Sequence, residues 1–83
     1  MKYLLKIEVS LKPGHSNPEG ETAATLLKEL GYQVDSVDVS KVYTILLKAR
    51  NKQEAKNRGI EMCKRLLANP TKDNYTINIE EQE

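Results

Sequence analysis

The 83-residue sequence contains no Phe and no Trp, and four Tyr are its only aromatic residues. Aliphatic side chains must therefore fill the core. A chain this short buries only about 60–65% of its unfolded surface, so that core is thin before any partner is counted. An enzyme pocket needs a concave volume of about 300 Å³ or more with supporting side chains, which so few residues rarely supply. We therefore expect a single domain over residues 1–83 that associates with another chain.

Cysteine and histidine occur once each. The single Cys63 excludes an internal disulfide and a zinc site built from a cysteine cluster. It falls on the apolar stripe of a predicted helix, where cysteine behaves as a small hydrophobic residue. The lone His15 lies in a predicted loop with no carboxylates at a metal-ligand spacing. The sequence thus predicts no catalytic, cofactor-binding or metal-binding residue.

Charge of one sign and long apolar runs are also missing. Thirteen basic and twelve acidic residues leave a formal net charge of +1, which lacks the positive excess of a protein that binds nucleic-acid phosphates. No apolar run approaches the roughly 20 residues that a membrane span needs. The chain opens directly into a strand pattern rather than a signal peptide. We expect a cytoplasmic protein that binds neither nucleic acid nor membrane.

Hydrophobic periodicity predicts the order strand, helix, strand, strand, helix, strand. The first helix begins at an Asn17 cap and stops at Gly31, and the second runs from an Asn51 cap to an Asn69-Pro70 stop. The segment 34–39 has the weakest strand pattern of the four. The predicted strands are residues 3–11, 34–39, 42–49 and 75–79, and residues 80–83 are expected to form an acidic, solvated tail.

This order predicts the α+β class, in the form of a two-layer, ferredoxin-like sandwich with a mainly antiparallel sheet and both helices on one face. Strand 42–49 is apolar on both faces, which is typical of a strand whose two sides are at least partly covered. Val42 and Leu46 would then lie on the sheet face away from the helices. We predict that they form a surface for association with a second copy of the chain.

Four short segments, in order and at the right length, resemble the PurS family, the small subunits of phosphoribosylformylglycinamidine (FGAM) synthase. The resemblance covers nearly the whole chain. It departs from the family pattern at His15, where an aliphatic residue is usual, at Asn17, where Asp is usual, and at Ser40, where Gly is usual. The matching segments are Leu11-Lys12-Pro13-Gly14, Asn17-Pro18-Glu19-Gly20, Leu30-Gly31-Tyr32, and Leu66-Leu67-Ala68-Asn69-Pro70 followed by Tyr75.

The resemblance implies a PurS-like fold and a role in the fourth step of purine synthesis, in which formylglycinamide ribonucleotide, glutamine and ATP yield the amidine. It implies a non-catalytic subunit that is a homodimer or a dimer of dimers. This subunit would bridge a PurQ-like glutaminase and a PurL-like synthetase and assist ammonia transfer between them. ATP and magnesium are expected on the large synthetase subunit and no cofactor on this chain.

Two rigid turns are the predicted contacts with those partners, because loops present side chains that the core does not need. They are Lys12-Pro13-Gly14 and Asn69-Pro70. One alternative remains a regulatory ferredoxin-like domain that binds a small molecule. Another is an enzyme of the acylphosphatase type, which would want an arginine in the loop after the first strand, whereas residues 12–20 contain none.

Overall fold

The computed structural model describes residues 1–82. Its centre is strand β1 (Lys2–Leu11), which pairs antiparallel with β2 (Lys41–Lys48) on one side and with β3 (Asp73–Gln82) on the other. Leu5 and Ile7 of β1 are fully buried. Leu5 lies opposite Ile45 and Ile79, and Ile7 lies opposite Tyr43 and Ile77, so these two inward residues of β1 have an apolar neighbour on both sides. This alternation makes β1 the core of the sheet.

Helix α2 (Lys52–Met62) packs across β1 and β3. It starts at Asn51, whose Oδ1 accepts a hydrogen bond from the Glu54 backbone N–H at 2.8 Å, as an N-cap residue should. Its buried side is built from small residues, Ala55 and Gly59. A Cβ placed on Gly59 would lie 2.9 Å from Leu5 Cδ2, so glycine allows the helix to approach β1 closely.

A π-helical segment (Cys63–Leu67) follows α2 without interruption. The Ala68 N–H donates to the Cys63 carbonyl oxygen at 3.0 Å, which is the wider bond of a π turn. Ala68 is extended and ends the helix, as the following Asn69-Pro70 pair predicts. Leu66, in the widened turn, is 84% exposed.

Helix α1 (Pro18–Glu29) begins at the predicted Asn17 cap, whose Oδ1 accepts from the Gly20 N–H at 2.9 Å. It ends where Gly31 takes a φ of 97° and the Tyr32 N–H bonds back to the Leu27 carbonyl. Among residues 1–82, α2 is the α-helix that packs on the sheet, whereas α1 does not pack on it. It stands away from the sheet, held by the segment 33–40.

The α+β class, the antiparallel sheet and the two helices are as predicted, but two features differ. First, residues 34–39 do not pair with the sheet in the part of the chain that the structure describes, so the sheet has three strands. The Val37 carbonyl oxygen lies against Gly20, and Asn17 Nδ2 donates to the Val39 carbonyl oxygen at 3.0 Å. Because these contacts tie the segment to α1, it does not reach the free edge of β2. Since α1 stands off the sheet, the second helix of the predicted layer is missing within one chain.

The second difference is at the C-terminus. Glu80, Glu81 and Gln82 belong to β3 and pair with residues 4, 3 and 2 of β1, so the predicted tail is strand up to Gln82. Pairing continues because β1 extends equally far and satisfies the backbone groups of β3. Glu83 lies outside the described residues.

The molecule is elongated, measuring 50 × 29 × 14 Å with a radius of gyration of 16.3 Å. A compact chain of this length would have a radius of gyration of about 12 Å. The accessible surface is 6411 Å², whereas about 5,000 Å² is typical of a monomer of 9.4 kDa. A single chain thus exposes about 1,400 Å² more than a compact protein of its mass.

Candidate partner-binding surfaces

The two turns predicted to contact partners meet at one end of the sheet. Lys12 Nζ donates to the Pro70 carbonyl oxygen at 3.0 Å, and the Lys12 N–H donates to the Lys72 carbonyl oxygen at 2.7 Å. Residues 58 positions apart are thereby joined. We call the surface formed by residues 12–14 and 69–72 the loop end. Whether it binds a partner stays a prediction.

Some residues of the loop end form its turns, and others are exposed to solvent. Asn69 Oδ1 accepts hydrogen bonds from the N–H groups of Thr71 at 2.8 Å and Lys72 at 3.2 Å, so its side chain builds the turn. Gly14 has a φ of 90°, which its own turn requires. Pro13 and Pro70 are exposed, and Pro70 takes part in the hydrogen bonds of the loop end only through its backbone carbonyl, so its ring stays open. A partner would therefore meet the two prolines, while Asn69 and Gly14 set the shape that presents them.

A cleft of about 460 Å³ lies beside the loop end, between the end of β1 and residues 38–40. Its lining carries both signs of charge, from Glu8, Asp38 and Lys12, and includes the exposed His15. Ser40 Oγ donates to Glu8 Oε2 at 3.0 Å across it. The cleft has the volume of a small-ligand site.

A second surface is the sheet face turned away from α2, here called the outer face. Val42 and Leu46 lie on it and are 57% and 59% exposed. Leu4 of β1 is directly opposite Leu46, and Glu8 is opposite Val42. Val42 and Leu46 thus lie on an open face of the sheet, as the alternation along the strand predicted. Glu8 borders the patch, and its role in association stays a prediction.

Two further surfaces involve the helices. The apolar stripe of α1 is open, with Leu26 and Leu30 exposed to 53% and 74%, and Tyr32 follows it at 61%. The second of the pair, which we call the groove, is a cleft of about 540 Å³ between β2 and the end of α2. It is lined by Ile45, Arg58, Glu61, Met62, Arg65, Leu66 and Leu67.

Sequence reasoning did not identify the α1 stripe or the groove as binding surfaces. Leucines at helical spacing look the same whether a helix packs on its own sheet or on another chain. The one signal in the sequence was the short chain itself, whose thin core suggested that some apolar faces would need a partner.

The single cysteine lies in the core, as its position on the apolar stripe of the second predicted helix indicated. Cys63 is fully buried, and burial raises the pKa of its thiol. The thiolate, which is the nucleophilic form, is therefore disfavoured. Over residues 1–82, no three His, Cys, Asp or Glu side chains cluster closely enough to hold a metal ion, and no helix is long and apolar enough to cross a membrane.

The chain was compared with known families, sequences and structures. Residues 4–81 match the PurS family model, described as phosphoribosylformylglycinamidine (FGAM) synthase. The PurS subunit of this synthase from Methanothermobacter thermautotrophicus is 34% identical over 83 residues, covering 100% of this chain and 99% of the relative.

Solved structures agree over the same length. The structure of Thermus thermophilus PurS superposes with a TM-score of 0.91 at 33% identity, covering 100% of both chains. A chain in the structure of PurLQS from Thermotoga maritima gives a TM-score of 0.88 at 26% identity, covering 96% of this chain and 99% of that one. Because the structural similarity covers the whole chain, it includes α1 and its position away from the sheet. The chain belongs to the PurS family, the small subunit of FGAM synthase.

Proposed function

We propose that this chain is a non-catalytic bridge in an FGAM synthase complex, where it holds a PurQ-like glutaminase and a PurL-like synthetase together. The observation that carries the proposal is the whole-chain similarity to a chain in the PurLQS structure of Thermotoga maritima. The open loop end, outer face and α1 stripe supply several binding surfaces on one small chain. As one domain over residues 1–83, it would act as a homodimer or a dimer of dimers in the cytoplasm.

The chemistry of the reaction explains why such a bridge is useful. Glutamine hydrolysis releases ammonia, which must reach the activated substrate before it is lost to water. The proposed role of this chain is to fix the two larger subunits so that ammonia passes between their sites. ATP and magnesium would be bound by the synthetase subunit.

Reconstitution tests the bridging role. The glutaminase and synthetase are mixed with and without this chain, and FGAM formation is measured with glutamine and, separately, with ammonium chloride as the nitrogen source. We expect this chain to raise the glutamine-dependent rate at least tenfold and to leave the ammonium-dependent rate unchanged. Equal glutamine-dependent rates in the two mixtures would refute the proposal.

The loop end can be tested in the same mixture. Pro13→Glu adds a charge to an exposed proline of the loop end, whereas Gln53→Glu adds the same charge at the start of α2, near the opposite end of the sheet. We expect the first variant to require at least tenfold more of this chain for half-maximal activity and the second to behave as wild type. If the two variants behave alike, the loop end is not a partner contact.

A small-molecule regulatory role is a second candidate, and the mixed-charge cleft beside the loop end supports it. Its size and its charges of both signs suit an amino acid or a nucleotide better than an apolar ligand. Calorimetry on the isolated chain with glutamine and with a purine nucleotide tests this role. Saturable heat from either ligand, abolished by Lys12→Ala, would support it, and flat titrations would exclude both ligands.

A further inference from the structure

Residues 17–40 form one body, which we call the arm. Asn17 Nδ2 donates to the Val39 carbonyl oxygen at 3.0 Å, and the Val37 carbonyl oxygen lies against Gly20. These contacts join α1 to the segment that follows it. Since α1 does not pack on the sheet in the described chain, the arm meets the sheet chiefly where the chain enters and leaves it.

Two clefts lie on opposite sides of this junction. The cleft of about 460 Å³ beside the loop end is lined by Glu8 and Ser10, which alternation places on the outer face. A smaller cleft of about 270 Å³ is lined by Val9 and Leu11, on the opposite side of the same strand. Ser40 lines both clefts, and its Oγ donates to Glu8 Oε2 at 3.0 Å. A molecule bound in the larger cleft would therefore contact both the arm and the sheet.

The charges that line the larger cleft do not form ion pairs with one another. Both ion pairs found in residues 1–82 lie on α2 or at its start. Glu8, Asp38 and Lys12 thus share one cleft without neutralising each other. Acidic and basic groups that line a cleft in this way leave room for a ligand that carries the opposite charges.

These groups also keep hydrogen-bonding capacity. Lys12 Nζ uses one of its three N–H groups on the Pro70 carbonyl oxygen. Glu8 uses one carboxylate oxygen to accept from Ser40, which leaves the other open. Asn17 differs, because its Oδ1 and its Nδ2 are both engaged within the arm. Asn17 therefore builds the wall of the cleft, while Lys12 and Glu8 are able to bind a ligand.

The lining favours one class of ligand. Two carboxylates and one ammonium, with His15 counted as neutral, give the lining a net negative charge, which disfavours the phosphates of a nucleotide. Among the described residues, no aromatic side chain lines the cleft to stack on a base. A diamine would bring a second positive charge towards Lys12. A zwitterion satisfies both signs, because its ammonium matches the two carboxylates and its carboxylate matches Lys12.

We propose that the cleft beside the loop end binds a free α-amino acid, and that the bound molecule fixes the arm against the sheet. Its ammonium binds Glu8 on the sheet and Asp38 on the arm, so the ligand crosses the junction. Because Lys12 and Pro13 also belong to the loop end, an occupied cleft steadies the surface that a partner would meet. The proposal rests on the small-molecule regulatory role of this cleft and names its ligand class, whereas the bridging role does not depend on it.

NMR titration of the isotope-labelled full chain tests the ligand class. Each protein amino acid is added in turn at millimolar concentration, and the backbone amide shifts are followed. We expect saturable shifts at residues 12–15 and 38–40 with at least one of them. The N-acetyl derivative and the α-carboxamide of that amino acid should each bind at least tenfold more weakly, because each lacks one of the two charges.

Charge-neutral variants test the binding groups. Glu8→Gln and Asp38→Asn keep the shape of the side chain and remove its charge, and we expect each to raise the Kd at least tenfold. Asp35→Asn makes the same change at an exposed site of the arm outside the cleft, so its Kd should stay within twofold of wild type. In wild type the bound amino acid should also slow amide hydrogen exchange at residues 38–40. Equal weakening by Asp35→Asn would show a general effect of charge and contradict the site.

Control ligands separate the remaining outcomes. If no amino acid shifts the cleft but AMP does, the amino-acid class is wrong and the regulatory role survives. Putrescine that binds as tightly as any amino acid would also overturn the class, because an ammonium alone would then suffice. If the cleft responds to none of these ligands, the proposal and the regulatory role both fail, while the bridging role is decided by reconstitution.

Discussion

Small residues determine how closely α2 approaches the sheet. Ala55 and Gly59 of α2, together with Cys63 of the π-helical segment that continues it, are the buried residues of this side. The close approach lets Leu5 and Ile77 fill the space that larger helix residues would take. At these positions the volume of the side chain matters more than its helix propensity.

Gly59→Ala tests this packing. In an open helix the change would stabilise by about 1 kcal/mol, but here the new Cβ meets Leu5 at 2.9 Å and Ile77 at 3.3 Å. We expect overpacking to prevail and the free energy of unfolding to fall by about 1–3 kcal/mol in urea titrations. Lys56→Ala, at an exposed site of the same helix, is the control and should change stability by less than about 0.5 kcal/mol. A stabilised Gly59→Ala variant would show that the helix can move away from the sheet without cost.

Because Cys63 is buried, we expect the free energy of unfolding to fall in alkali. Burial raises the pKa of its thiol, so the folded chain keeps a proton that the unfolded chain releases above its ordinary pKa of about 8.5. The stabilisation is therefore complete below that pH and is lost as the pH rises through the raised value. Tyr3 acts in the same direction at higher pH, because burial and Glu81 raise the pKa of its phenol.

Urea titrations at pH 7, 8, 9 and 10 measure this effect. We expect the free energy of unfolding of wild type to fall above pH 8.5 more steeply than that of Cys63→Ala, whatever the difference between the two proteins at pH 7. Parallel curves would show that the thiol ionises equally easily in both states. A thiol reagent at pH 8 gives an independent check, since Cys63 should react only after unfolding while an exposed Lys64→Cys thiol reacts at once.

Among the elements, α1 depends on its neighbouring loop rather than on the sheet. Asn17 holds both together: its Oδ1 accepts from Gly20 N–H, and its Nδ2 donates to the Val39 carbonyl oxygen. Asn51 caps α2 through one such bond, in which its Oδ1 accepts from the Glu54 N–H. The two asparagines thus offer a matched comparison of a cap alone and a cap with a tether.

Asn17 substitutions separate the two bonds. Asn17→Ala removes both, and we expect amide hydrogen exchange in α1 and residues 33–40 to accelerate about fivefold to thirtyfold, equivalent to about 1–2 kcal/mol. Asn17→Asp keeps the cap and loses the tether, so residues 33–40 should exchange faster while the first turn of α1 stays protected. Asn51→Ala should affect only the start of α2. If Asn17→Asp leaves residues 33–40 unchanged, the Val39 bond does not hold the segment.

The elements themselves were largely predictable from the sequence. Alternation identified β1, β2 and β3, and the caps at Asn17 and Asn51 fixed the helix starts, because these signals depend on residues close in the chain. The segment 34–39 was predicted wrongly as a strand, since its apolar pattern could not reveal that α1 would hold it away from β2. The position of α1 and the meeting of Lys12 with Pro70 depend on distant residues, and no local pattern reports them.

At the scale of the whole molecule, the extended chain leaves more of its surface exposed than a compact protein of its mass. Its stability should therefore depend on the concentration of protomers, because association favours the folded state by mass action. We expect each tenfold increase in protein concentration to stabilise the folded dimer by about 1.4 kcal/mol. Urea midpoints measured from micromolar to hundred-micromolar concentrations check this. A midpoint that does not move would mean that the folded monomer is stable by itself.

The same comparison made with Leu26→Glu/Leu30→Glu links stability to α1. If the exposed stripe supplies the association energy, the variant should unfold at a concentration-independent midpoint below that of wild type. Val42→Lys/Leu46→Lys should keep the concentration dependence. Loss of the dependence in the outer-face variant instead would assign the stabilising contact to the sheet.

The strand order has a consequence for how the chain is made. The central strand β1 is synthesised first, yet one of its neighbours is β3, where Gln82 lies opposite Lys2. The sheet cannot be completed until β3 has left the ribosome, and the loop closed by this pairing runs from residue 2 to residue 82. Until then Leu5 and Ile7 have an open edge beside them, which exposes a hydrophobic strand to other nascent chains. This small subunit should therefore depend on protection during translation more than its length alone would suggest.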